Sequence, residues 1–195
     1  MVLHEGIDFF SFIPAIGAAA LSVLNWLKLR KGADLRPYRI LNYAIWGLKK
    51  DSNLTKWLWI PIIVNNKGMQ DGYITNVNLE IVSDGASKPI KSHRRVELLD
   101  FTPAQLKNMN LNQFKSGGLK VFNPIYPIII PSQDGKSFIM ECSDLENIIP
   151  LDKEVNMRVE LTFNDDLTSK IEFPYKLTSQ GFEKSLDGII WLDVN

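Results

Sequence analysis

The stretch VNMRVELTF, residues 155–163, alternates strictly: Val155, Met157, Val159, Leu161 and Phe163 are apolar, and Asn156, Arg158, Glu160 and Thr162 between them are polar. After Asn164-Asp165-Asp166 the pattern returns in IEFPYKL, residues 171–177, where Ile171, Phe173, Tyr175 and Leu177 alternate with Glu172, Pro174 and Lys176. Successive side chains of a strand point to opposite faces, so a period of two describes strands with one face in a core and one in water. The polar triplet between them suits a tight turn, which makes the pair an antiparallel hairpin.

Further toward the N-terminus, Leu58, Ile60, Ile62 and Val64 mark one strand, and Tyr73, Thr75, Val77, Leu79 and Ile81 mark another, whose second face holds Asn76, Asn78 and Glu80. Asn65-Asn66-Lys67-Gly68 and Asp71-Gly72 lie between them and tolerate positive φ, so a second hairpin is expected. Residues 95–101, the proline-punctuated residues 119–130 and residues 138–142 read as further strands, with Asp134-Gly135 turning the last two. Thr102-Pro103-Ala104-Gln105 has the spacing of a capped helix start, and Ser143 with Glu146 repeats it before a shorter turn. About seven strands with no regular strand–helix alternation predict a mainly β domain, an antiparallel β-sandwich. Its outline is immunoglobulin-like, without the Cys…Trp…Cys signature.

Residues 9–27, FFSFIPAIGAAALSVLNWL, carry no charge over nineteen positions. At 1.5 Å per residue such a helix is about 28 Å long, close to the roughly 30 Å of a bilayer's hydrocarbon. Phe9, Phe10 and Trp26 stand at its boundaries, where aromatic rings suit the membrane interface. A cleaved signal peptide is opposed by Glu5 and Asp8, which stand where basic residues would be needed. A buried helix of a soluble assembly is the competing reading. Lys28, Arg30, Lys31, Arg36 and Arg39 follow the apolar run, and positive flanks stay in the cytoplasm.

The expected organisation is a short tail (1–8), one transmembrane helix (9–27), a basic juxtamembrane segment, helical or extended (28–55), and the sandwich (56–195), with the C-terminal domain cytoplasmic. The five cations, Trp26 and Trp46 are the expected lipid contacts, with Tyr38 and Tyr43 also available to the interface. Small residues at Ser11, Ala15 and Ala19 would admit a second helix, giving a route to a homo-oligomer.

The 195 residues are 45% hydrophobic and have a formal net charge of zero. Neutrality conceals a division: residues 28–136 hold seventeen Lys or Arg against eight Asp or Glu, and residues 137–195 hold five against twelve. A nucleic-acid surface needs a net-basic domain, which the acidic C-terminal third opposes, so no nucleic-acid partner is expected. A single cysteine, Cys142, excludes an internal disulfide and favours a reducing compartment.

No catalytic, metal or cofactor residue can be nominated, so no enzyme is expected. His4 and His93 fall on opposite sides of the predicted membrane. Cys142 continues the inward alternation of Phe138 and Met140, so a core thiol explains it better than a nucleophile paired with His93. Asp165-Asp166 reads as a hairpin turn rather than a calcium loop. Gly117-Gly118 lacks the spacing of a phosphate loop.

The suggestive feature is aromatic. Trp57 and Trp59 share the strand face opposite Leu58 and Ile60, forming a partner-binding surface if exposed and core if covered. Trp191 lies in an apolar tail that either docks on the domain or offers a partner-binding strand. The expected function is a non-catalytic module that holds an unknown protein partner at the inner membrane face. The alternatives are a small membrane-associated hydrolase or lipid-modifying enzyme, and an envelope-side or extracellular binding domain of inverted topology.

Overall fold

Alternating apolar residues dominate the chain beyond residue 34, and they become strands wherever one face can be buried. The computed structural model describes residues 9–29, 32–50, 53–83, 85–90, 93–98, 119–122, 126–144, 148–164 and 166–194. In order these form α1 (Phe9–Leu29), β1 (Leu35–Pro37), β2 (Asn42–Lys50), β3 (Asn53–Asn66), β4 (Gly72–Ser83), β5 (Ala86–Pro89), β6 (His93–Leu98) and β7 (Leu119–Phe122). Then come β8 (Ile128–Ile130), β9 (Gly135–Asp144), β10 (Glu154–Phe163), β11 (Thr168–Lys176), α2 (Ser179–Ser185) and β12 (Ile190–Asp193). The protein is mainly β, and every strand pair among the described residues is antiparallel.

Two sheets result. The larger runs β12-β2-β3-β9-β6-β7 with β1 also on β3, and the smaller runs β11-β10-β4-β5 with β8 also on β4. The expected C-terminal hairpin forms, with Val155 opposite Tyr175, Met157 opposite Phe173 and Val159 opposite Ile171. Pro174 is tolerated because β11 is an edge strand, where a missing N–H need not break a ladder.

The expected hairpin of β3 and β4 does not form. β3 pairs with β2 and β9 in the larger sheet, and β4 pairs with β10, β5 and β8 in the smaller, so residues 67–71 cross from one sheet to the other. The turn at Asp134-Gly135 likewise links β8 in one sheet to β9 in the other. An alternating strand can turn its apolar face to the shared core from either sheet, so alternation alone could not decide.

Ile60, Ile62, Met140 and Phe138 from the larger sheet meet Leu79, Met157, Val159 and Phe173 from the smaller in one apolar core. Full burial of such side chains stabilises by roughly 1.5–3 kcal/mol each. Tyr43 is buried there too, where its ring packs on Tyr175 and its hydroxyl donates to the Lys176 carbonyl at 3.1 Å. It therefore ties β2 to β11 and is not available to a membrane interface.

Strand structure begins at Leu35, so the segment read as juxtamembrane supplies β1 and β2. Ser143 lies within β9 rather than capping a turn. Asp144 caps instead, its carboxylate accepting the N–H groups of Ile148 at 2.6 Å and Ile149 at 3.0 Å. α2 was not anticipated. Thr178 caps it by accepting the Gly181 N–H at 3.0 Å, and Phe182 anchors it in the core. The apolar tail docks as β12 on the edge of β2. The helix expected after Thr102 lies outside the described residues.

α1 exists, but the expected transmembrane span is not supported: among the described residues no helix is long and apolar enough to cross a membrane. Its side chains are described over residues 16–26. All of them are exposed, Leu21 by 63% and Val23 by 56%.

Candidate functional site

The two sheets differ on the faces turned away from the core. On the smaller sheet Glu80, Arg158 and Glu172 form a cross-strand row, with Arg158 3.4 Å from Glu80 and 2.7 Å from Glu172, and Lys170 reaches Glu160 at 3.1 Å. Glu172 first, by its hydrogen bond, and then Glu80 help hold the Arg158 guanidinium above its ordinary pKa. This is the polar outer face expected of an antiparallel sheet.

The larger sheet departs from that rule. Its register sets Trp191, Ala44, Trp59, Glu141 and Arg94 opposite one another in a single row across β12, β2, β3, β9 and β6. Trp46 and Trp57 face each other in the adjacent row, their rings stacked 4.9 Å apart at 9°. Ala44, fully buried, is small enough to sit between two indoles. Trp59 is 2% exposed although it points away from Leu58 and Ile60, and its indole N–H donates to Glu141 at 2.7 Å. The other Glu141 oxygen pairs with Arg94. Arg94 in turn lies 5.3 Å from the centre of the Trp57 ring, within cation–π range. A buried carboxylate is tolerable here because both of its oxygens are engaged.

Trp46, Trp57 and Trp191 are each half-buried, and their indole nitrogens are shielded without an acceptor among the described residues. An unmet buried donor costs about 1–3 kcal/mol. The alternation of Trp57 and Trp59 pointed to this face. Glu141 and Arg94 were missed because only cross-strand register, which no local pattern reveals, brings them to it.

Of the residues expected to meet lipid, those described fall on different elements. Trp26 is exposed on α1, and Trp46 belongs to the tryptophan cluster. Arg36 and Arg39 are exposed, Arg36 paired with Asp34 at 2.9 Å, a contact that raises its pKa chiefly through the hydrogen bond. Lys28 lies in α1, and Arg30 and Lys31 fall outside the described residues.

A second polar group sits at the margin of the core. Lys56 and Asp144 are cross-strand partners 3.0 Å apart, and Lys56 also donates to the Ile149 carbonyl at 2.5 Å. With the two N–H groups held by Asp144, this pair clasps residues 148–149 against β9, which is a structural task. Cys142 is buried, and desolvation pushes its thiol well above the ordinary range, so it is no ready nucleophile even though the register sets His93 opposite it. Among the described residues no three His, Cys, Asp or Glu side chains gather to hold a metal.

No protein-family model matches the chain, and no curated protein matches it. Among solved structures, the crystal structure of a Bordetella pertussis protein bearing the name ApaA is similar at 8% identity, covering 76% of this chain and 98% of that one with a TM-score of 0.38. So loose a likeness carries no argument about fold or function.

Proposed function

We propose that this protein is a non-catalytic interaction module, a β-sandwich of immunoglobulin-like outline that α1 tethers to the inner face of a membrane and that takes a protein partner on the outer face of its larger sheet. The observation that carries this reading is the contrast between the two outer faces: charged rows on one sheet, a tryptophan cluster on the other. Tryptophan and arginine are enriched where interfaces concentrate their binding energy, and Arg94 lies over Trp57 and shares Glu141 with Trp59. The tether reading rests on exposure, since an apolar helix with Ile16, Leu21, Val23 and Leu24 all more than half exposed needs a cover. The cations that follow it, Lys28 to Arg39, favour the cytoplasmic side.

The test places a photo-crosslinking side chain at Trp46 on the larger sheet and, separately, at Glu172 on the smaller, in membranes of cells that make the full chain. Crosslinking of one protein species from position 46 and not from 172 supports the reading. Equal crosslinking from both faces, or extraction of the full chain by carbonate, would count against the partner face and the tether respectively.

A further inference from the structure

We propose that the end of the domain next to α1 rests on the bilayer surface, making an apolar contact through Tyr38, Ile63, Tyr73, Ile129 and Leu167; this rests on the tether reading above. Among the described residues, the large apolar side chains exposed in the β domain are these five and Leu41. Single exposed residues of this kind are ordinary, whereas their placement is not. Tyr73 and Ile129 face each other across β4 and β8, at the second position of each strand. Leu167, 65% exposed, stands in the turn between β10 and β11, and Asn164, three residues earlier in the same turn, donates its N–H to the Tyr73 carbonyl at 3.1 Å. On the other sheet Ile63 lies three residues from the end of β3, and the Tyr38 N–H donates to the Ile63 carbonyl at 2.8 Å. Five of the six therefore collect at one end of the two sheets. At the opposite end, formed by the β2–β3 and β4–β5 turns and α2, none of the side chains that are described is large, apolar and exposed.

That end is also where the chain arrives from α1. Leu35 packs against Gly72, and residues 32–34 lie so close to Gly68 that a Cβ there would meet the Gly32 carbonyl oxygen and the Asp34 nitrogen. Leu29, the last residue of α1, is only three residues from Gly32, a reach of at most about 11 Å. A bilayer that takes up α1 must then lie within that distance of the exposed apolar end. Carboxylates stand at the same end: Asp34 is paired with Arg36, Asp71 accepts the Ser132 N–H at 2.9 Å, Asp134 accepts the Gly135 N–H at 2.7 Å, and Asp166 is exposed beside Leu167. Their presence limits the contact to headgroup depth, the level that suits tyrosine. Because apolar groups rather than net charge make the contact, neutral lipid suffices and salt does not weaken it. The tryptophan cluster is held off the membrane, since Trp57 lies six residues along β3 from Ile63, about 20 Å at 3.3 Å per residue.

The experiment uses the full chain in phosphatidylcholine vesicles, with an environment-sensitive fluorophore on a cysteine substituted at Ile129, at Leu167 or, as the far-end control, at Lys184. Cys142 stays unlabelled because it is buried. The expected result is a blue shift at 129 and 167 that brominated phosphatidylcholine quenches and 1 M salt leaves unchanged, with no quenching at 184. If the chain floats with the vesicles but the 129 and 167 labels escape quenching, the end contact is wrong and the tether survives. If the chain does not float, both fail. A blue shift that appears without lipid and grows with protein concentration would make a second copy the occupant and overturn the proposal.

Discussion

Two buried carboxylates do different work at the residue scale. Glu141 is held by an indole N–H and a guanidinium on the outer face, so Glu141→Ala removes the acceptor of the Trp59 N–H and should destabilise by about 1–3 kcal/mol in denaturant unfolding. Glu172→Ala, on the exposed row of the smaller sheet, should cost no more than about 0.5 kcal/mol. Lys56 and Asp144 are both buried, and Lys56→Met strands the carboxylate, a loss of about 3–5 kcal/mol that replacing Asp144 as well should partly restore. Cys142 provides a simple monitor. Its buried, proton-retaining thiol should react with a maleimide at the rate of global unfolding, and fast labelling of the native protein would show that the core is misplaced.

Single elements were the part of the fold most legible in the sequence. Residues 155–163 and 171–177 disclosed their strands, their pairing as a hairpin and their buried face because pattern, turn and pairing are all local there. Val159→Asp or Phe173→Asp should accordingly cost several kcal/mol, and Lys170→Ala about 0.5 kcal/mol or less. β3 and β4 were just as visible as strands, but which sheet each joins depends on partners up to about ninety residues away, such as β9 and β10, and alternation is silent on that. The tryptophan face was half legible for the same reason: Trp57 and Trp59 announced it, while Glu141, Arg94 and Ala44 reach it only through pairing. α2 was too short to show a periodic stripe.

α2 also carries a pH signature. Asp152 accepts the Ser179 N–H at 2.9 Å and the Ser179 hydroxyl, which hold its carboxyl below the ordinary value. A depressed folded pKa means that this support is present above the unfolded value of about 3.9 and is lost as pH falls through the lower folded one. Asp152→Asn should therefore lower Tm at neutral pH, and the gap from the parent should close in strong acid.

For the whole molecule, the structure moves the start of the domain. Asp34 donates its N–H to the Asn66 side chain at 3.1 Å and accepts the Lys67 N–H on its carbonyl at 2.9 Å, so the fold reaches back past β1. A chain beginning at Gly32 should melt with the full domain. One beginning at Leu35 loses both bonds, about 1–3 kcal/mol together, and should melt roughly 2–12 °C lower at about 2–4 °C per kcal/mol. Identical melting curves would mean that residues 32–34 contribute nothing.

The position of β12 also orders events during synthesis. β2 pairs with β3 on one side as soon as that strand emerges, but its other edge, residues 42–45, is closed only by residues 190–193. At 5–20 residues per second the intervening chain takes about 7–30 s to be made. For that time the larger sheet has an open edge beside Trp46, a template for pairing with a neighbouring nascent chain. A ribosome stalled anywhere before Ile190 would leave a nearly complete core that is still able to recruit a stranger's strand.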